Sequence, residues 1–336
     1  MLSSLRPDLR VAQVKDISPQ TLLERGCRAI LLDLDNTLLT EHLGFVALVF
    51  ILAEGGLTTR WSNVRPALGL GISAVGMLFK LFTIGLYQLN LDGTEKRDAQ
   101  GNRMETYTQA DVTNLARVFT GYDVDLSQNV NTYDAVLNRN IPNTTAARLP
   151  MALNASRHST LAASFLGANV PANTPGAAAL KTALDTLFNH PNVGPFFGRQ
   201  MIQRLVTSNP SPAYVGRVAA AFNNNGSGVR GDLKAVWSAI LLDDEARSPA
   251  GLTQASFGRL REPMLRLVQW GRTFGIASAL GSWKIGDLSN TASQLGQSPL
   301  RSPSVFNFFR PGYVPPSTAL ATRKAVAPEF QIVNES

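Results

Sequence analysis

Two aspartates one residue apart, Asp33 and Asp35 in "RAILLDLDNTLLT" (28–40), are the side chains whose type and spacing point most directly to chemistry. Carboxylates at i and i+2 of a strand project from the same side. At the C-terminal end of a parallel strand they stand where open α/β sheets place ligands. Such a pair can divide phosphoryl transfer between them: one stays ionised and attacks phosphorus, the other protonates the leaving oxygen. The flanking sequence predicts the elements that must hold them. "SPQTLLERG" (18–26) reads as a helix with Ser18 as N-cap, Pro19 at the first helical position and Gly26 as the stop. "RAILLDLD" reads as a short buried parallel strand.

The stretch "LRPDLRVAQVKDISPQTLLERGCRAILLDLDNTLL" resembles the start of the YqeG-like branch of the haloacid dehalogenase (HAD) phosphatase superfamily. The resemblance implies that Asp33 is the nucleophile that forms an aspartyl-phosphate. It implies that Asp35 is the general acid/base and helps bind Mg²⁺ through its backbone carbonyl, which would make both residues part of a metal site. The rest of that machinery does not follow. No lysine precedes a proline, so the family's Lys-Pro signature is absent. The nearest match to its "GDxxxTD" element is "GDLSNTA" (286–292), with Ala292 in place of the second acid. The expectation is therefore a remnant without catalysis and without a cofactor. A Mg²⁺-dependent phosphatase built on Asp33 and Asp35 is the alternative.

Composition narrows the choices further. The chain has 336 residues, 44% of them hydrophobic and 16% charged, with a net charge of +7. Its lysines and arginines are scattered rather than blocked, a pattern that fits a solvated surface, so no nucleic-acid partner is expected. The single cysteine, Cys27, allows no intrachain disulfide, and three dispersed histidines (His42, His158, His190) supply no zinc set. The polar N-terminus "MLSSLRPDLRVAQVKD" lacks the apolar core of a signal peptide. The expected location is accordingly cytoplasmic or membrane-associated.

Residues 41–80 are more apolar. "GFVALVFILA" (44–53) is followed by "ALGLGISAVGMLFKLFTIGLY" (67–87), 21 residues with one charge, Lys80. That length allows a membrane-crossing helix, and membrane contact through 44–87 is an expectation. "ALVFILAEGGLTTRWSNVRPALGLGIS" resembles a piece of a cation/proton antiporter of the sodium–proton exchanger type. One or two helices cannot build an alternating-access ion site, so transport is not expected.

From residue 81 onward the pattern is helical, with Pro/Gly/Asn loops and no strong period-2 alternation after residue 90; the reading there is all-α, making the chain as a whole mainly α. "TYTQADVTNLARVFTGY" (106–122) offers Thr108 as N-cap, Asp111 as its capping-box partner and a stop near Gly121. Pro175 opens a helix with Leu180, Leu184, Leu187 and Phe188 at helical spacing, and "GPFFGRQMIQRLVTS" (194–208) follows. Ser211 and Pro212 open another, with Val215, Val218, Ala219 and Phe222 on one face. Leu233, Val236, Trp237, Ile240 and Leu241 form a further stripe, as do Leu260, Met264, Leu267 and Val268 after "FGRLREP". Each stripe is expected to face the core.

This part closely resembles the large bacterial family called domain of unknown function 1800 (DUF 1800). The match is carried by "LFTIGLYQLNLDGT" (81–94), "YTQADVTNLARVFTGY" (107–122) and the long run from "LFNHPNVGPFFGRQ" to "LLDDEAR" (187–247). It continues through "FGRLREPMLRLVQWGRTFG" (257–275), "LGQSPLRSPSVFNFFRPGYVPP" (295–316) and "APEFQIVNE" (327–335). The resemblance implies a mostly helical fold and, for many members, export; it implies no reaction. Members usually run on beyond the position of Ser336. The chain thus reads as a mosaic: a HAD-like fragment (1–40), an apolar antiporter-like segment (41–80) and a truncated helical domain (81–336). Its expected role is that of a structural or binding module.

Four further features invite functional readings. His158 in "ASRHSTLAASFLG" could act as a base or ligand, although a hydrogen-bonding role beside Ser159 and Thr160 is the plainer reading. His190 in "FNHPNVGPF" falls at a helix end, where a cation suits the dipole. Asp243, Asp244 and Glu245 read as the end of a helix, with Arg247 nearby to offset them. "SPSVFNFFRPGYVPP" gathers Phe306, Phe308, Phe309 and Tyr313 around Arg310. It reads as a strap over the helical core, or as an aromatic platform with cation–π potential.

Overall fold

The structure is a computed structural model. It describes residues 78–332, apart from 129, 136–137, 143–148, 280, 282–284, 300 and 304–306. Asp33 and Asp35, with the helix and strand expected around them, lie outside the described residues, as do Cys27, His42, the 44–53 run and Phe306.

The final residues of the apolar 67–87 stretch do not continue as a helix. Leu78–Thr83 form a π-helical turn, and the N–H groups of Ile84 and Gly85 both return to the Phe79 carbonyl, at 3.1 and 2.9 Å. Phe79 and Ile84 are fully buried in the core. From Leu86 the chain runs extended and folds back on itself through the bridges Tyr87–Glu105, Leu89–Glu95 and Arg97–Arg103. One uninterrupted helix over 67–87 is therefore excluded. Phe79 and Ile84 thus pack against protein, while Leu86 is exposed, and among the described residues no helix is long and apolar enough to cross a membrane.

A helical layer follows. Helix α1, Gln109–Val118, starts at the predicted capping box: Thr108 Oγ1 accepts from the Asp111 N–H, and Asp111 Oδ2 accepts from the Thr108 N–H. Asp111 Oδ1 also accepts from the Leu166 N–H at 2.8 Å, tying the helix start to a later turn. Burial raises the Asp111 carboxyl, but these hydrogen bonds overcome it and hold the group below its usual value. Helices α2 (Gly176–Asn189), α3 (Val193–Leu205), α4 (Pro212–Asn223) and α5 (Leu233–Leu241) build the core, with α3 and α4 sharing the most extensive contact. Leu187, Phe197, Ile202, Tyr214, Val215, Val218, Phe222, Val236 and Ile240 are buried there together. A Cβ on Gly198 would stand 2.9 Å from Val218 Cγ1, so α3 and α4 can approach this closely only with glycine at 198. In α2 the buried face runs through Ala179, Ala183 and Leu187. Leu180 and Phe188, on the predicted stripe, flank the core only partly buried, because the alanines allow the helix to approach closely on their side.

The all-α reading needs amendment between α1 and α2. Six short strands form three antiparallel pairs: β1 (Tyr122–Asp123) with β4 (Ala152–Leu153), β2 (Asn131–Asp134) with β3 (Arg139–Pro142), and β5 (Ala163–Phe165) with β6 (Ala168–Val170). At two to four residues each they are too short to display a period-2 pattern. Their turns rest on left-handed residues such as Asn138 and Leu166, which no apolar periodicity reveals. Helix α6, Asp244–Arg247, and α8, Ala319–Thr322, are single turns on either side of α7, Pro263–Thr273.

Helix α7 departs from expectation in another way. Of its residues only Pro263 is buried. Leu260, Met264 and Leu267 are half-buried and Val268 is 40% exposed, so the stripe assigned to the core is incompletely covered by the described residues.

Candidate functional site

A cluster of partly and fully buried ionisable side chains lies at the root of α7, where three distant segments converge. The end of α3 presents Gln203, Arg204, Thr207 and Ser208. Thr207 Oγ1 accepts from the Gly258 N–H at 2.9 Å, and the Ser208 N–H donates to the Gly258 carbonyl at 3.0 Å, which pins the following loop. That loop carries Arg259 and Glu262. The Arg259 guanidinium lies 3.2 Å from Glu262 Oε1, and its Nε lies 3.3 Å from Glu329 Oε1. Glu329, delivered by the C-terminal turn Pro328–Gln331, is only 1% exposed.

Helix α7 grows directly out of this cluster. Glu262 is its N-cap residue but makes no side-chain cap bond. The task passes to Gln297, which is itself buried. Gln297 Oε1 accepts from the Met264 N–H at 3.2 Å, while its Nε2 donates to Glu262 Oε2 at 2.5 Å. One amide therefore satisfies a helix donor and a buried carboxylate at once.

The ionic network is incompletely satisfied. The Arg259–Glu329 approach is close enough for an ion pair, yet its angle makes no hydrogen bond at Nε, and Glu329 Oε2 has no hydrogen-bond partner among the described residues. Burial pushes the Glu329 carboxyl above its ordinary value, against the pull of Arg259 and Arg204. Arg204 stacks over the Phe309 ring at 4.5 Å, and burial draws its guanidinium below the ordinary arginine value. Gln200, Gln203, Arg204, Phe309, Pro311, Pro328 and Glu329 line a cavity of about 10 Å³, room for a single water. Two arginines and two glutamates held this way form an anchoring device; the cavity is too small for a substrate.

The sequence-marked residues fall elsewhere. His158 Nδ1 lies 2.9 Å from the Thr120 carbonyl, so that nitrogen donates, and the imidazole ties its loop to the end of α1. The hydrogen-bonding reading holds, beside a second cavity of about 10 Å³ lined by Arg117, Ser159 and Thr174 among others. His190 does cap α2, but not as a favoured cation: burial, with Arg230 and Lys96 near, lowers its basicity, and its Nδ1 accepts from the Asn192 N–H. Asp243 to Glu245 do not end a helix; they begin α6, where negative charge is favourable. Asp243 accepts the Glu245 N–H and takes two bonds from Arg217, at 2.7 and 2.8 Å, so the compensating cation is Arg217 rather than Arg247. In "GDLSNTA", Asp287 accepts bonds from Ser289 and pairs with Arg301 in an exposed turn. Among the described residues no group of His, Cys, Asp and Glu could hold a metal ion.

The aromatic segment behaves as a strap. Phe309 is buried, the Arg310 N–H donates to Gln331 Oε1 at 2.8 Å, and the Ala327 N–H donates to the Tyr313 carbonyl at 2.8 Å. The cation over its ring is Arg204, from α3, not the neighbouring Arg310. Sequence reasoning missed the Arg259–Glu262–Glu329 cluster because its members stand far apart in the chain. The available signal was the pairing of "REP" with "PEF": each sets a glutamate beside a proline at a helix start.

Beyond its anchored root, α7 is left open by the described residues. Trp270 is 54% and Phe274 69% exposed, their rings one helical turn apart with centroids at 5.6 Å and planes tilted by 57°. Leu265 and Ile276 are also exposed. Gly275, at φ +62°, ends the helix and lets the Ile276 N–H return to the Gly271 carbonyl. A family model described as "Protein of unknown function (DUF1800)" matches residues 78–335. No curated protein and no solved structure matches the chain.

Proposed function

Because the chain belongs to this DUF1800 family, whose description assigns no reaction, we propose from its geometry that it is a helical binding module with α7 as its contact face. One observation carries the reading: a helix rooted in a buried ionic cluster presents an uncovered aromatic pair, Trp270 and Phe274, at its far end. Large apolar side chains grouped on a surface mark interaction sites, since leaving them in water forgoes the free energy of their burial. The rigid root supports the reading too, because a face fixed before contact loses less conformational freedom on binding.

The test is oxidative footprinting of the full chain, purified and in the cells that produce it. Trp270 and Phe274 should be oxidised readily in the purified protein and protected in cells. Equal oxidation in both settings would remove the reading. The phosphatase built on Asp33 and Asp35 is the competing function, and it rests on the sequence motif alone. Phosphate release from an aryl phosphate with Mg²⁺ is expected to be equal for the intact chain and Asp33→Asn; a loss in the variant would make the protein an enzyme.

A further inference from the structure

The partner class can be read from the charges that accompany the open face. Helical spacing places Arg266, Trp270 and Phe274 in one row at successive i+4 positions, while Leu265, Val268 and Arg272 fall on the opposite side of the helix. Arg266 and Arg272 are both exposed and carry no ion pair among the described residues. Arg261, by contrast, is engaged by Gln269. No aspartate or glutamate occurs between Pro263 and Gly286. The row therefore offers aromatic rings at one end and the Arg266 guanidinium at the other, on a helix with no carboxylate of its own between Pro263 and Gly286. An exposed aromatic pair with an arginine one turn before it in the same row matches a bilayer interface. Rings enter the headgroup boundary there while long cationic side chains reach lipid phosphates. A net charge of +7 adds long-range attraction of the same sign.

We propose that α7 docks on an anionic lipid surface, with Trp270 and Phe274 inserted at the interface and Arg266 on the headgroups. The proposal rests on the reading of α7 as the contact face and names what that face meets. The experiment is co-sedimentation of the full chain with phosphatidylcholine vesicles, with and without phosphatidylglycerol. Binding should require phosphatidylglycerol and weaken as salt is raised. Arg266→Gln should weaken it by about fivefold, the equivalent of about 1 kcal/mol for a juxtamembrane cation, whereas Arg272→Gln, on the far side of the helix, should leave it nearly unchanged. Trp270→Ser with Phe274→Ser should weaken it by roughly tenfold or more. An unchanged urea midpoint in each variant separates lost docking from lost folding.

Binding to both vesicle types alike, indifferent to these α7 variants, overturns the proposal, as does no binding at all. The footprint then tells the two failures apart. Protection of α7 in cells that survives detergent extraction leaves a binding module with a protein partner and removes the lipid. No protection removes the contact face as well.

Discussion

Asn192 joins the N-terminal edge of the described chain to the helical layer. Its Oδ1 accepts from the Leu89 N–H at 2.9 Å, and its Nδ2 donates to the carbonyls of Ile84 and Tyr87, each at 2.8 Å. Replacing it with alanine leaves three backbone groups without this partner, the Ile84 carbonyl buried and the other two part-buried; a buried group without a partner costs roughly 1–3 kcal/mol. Asn192→Ala should therefore lower the urea midpoint more than any exposed substitution while leaving the slope of the transition unchanged. Glu329 makes a pH prediction. Its folded-state value is raised above 4.5, so ionising it costs more in the folded chain than in the unfolded one. The associated stability is full below the unfolded value and lost as pH rises through the folded value. The midpoint of Glu329→Gln should accordingly gain on the parent as pH climbs above 4.5, then level off. Asp243 has the opposite sign: the Arg217 bond holds it below 3.8, so its contribution stands above that value and is lost as pH falls. Asp243→Asn should lag the parent at neutral pH and converge with it in acid.

At the scale of elements, α3 and α7 are both amphipathic, yet they should respond to substitution in opposite ways. Gly198 on α3 stands 2.9 Å, measured from an added Cβ, from a buried and β-branched Val218. Gly198→Leu must push α3 and α4 apart, and overpacking of this kind costs about 1–3 kcal/mol or more. On α7, Trp270→Ser with Phe274→Ser removes more side-chain surface, but rings that are 54% and 69% exposed, so the unfolding free energy measured in urea should stay within about 0.5 kcal/mol of the parent. Comparable losses from the two would mean that α7 is covered after all. The capping box at Thr108 and Asp111 and the Ser211–Pro212 start of α4 were legible because caps are local chemistry, written within four residues. The extent of α7's exposure was not legible, since periodicity identifies an apolar stripe without saying whether anything covers it.

For the whole molecule, the place to cut the chain follows from the core. Phe79 is fully buried and Ile84 lies in the same cluster, at the start of the extended segment that Asn192 holds. A fragment beginning at residue 78 should unfold cooperatively; one beginning at residue 81 loses Phe79 and should be less stable by about 3–5 kcal/mol, the usual cost of deleting a buried phenylalanine. Urea denaturation of the two fragments side by side measures the difference. The amino-acid order alone determined the helical class, the helix starts at Thr108, Pro175 and Ser211, and the family match, because propensity, capping and apolar spacing act over a few residues. It also marked Asp33 and Asp35, which stand as a motif outside the described residues. Tertiary structure alone decided that Arg259, Glu262 and Glu329 would meet, that Arg217 and not Arg247 would pair with Asp243, and that α7 would keep an open side. Contacts between residues tens of positions apart depend on how elements pack, and no local pattern encodes that packing.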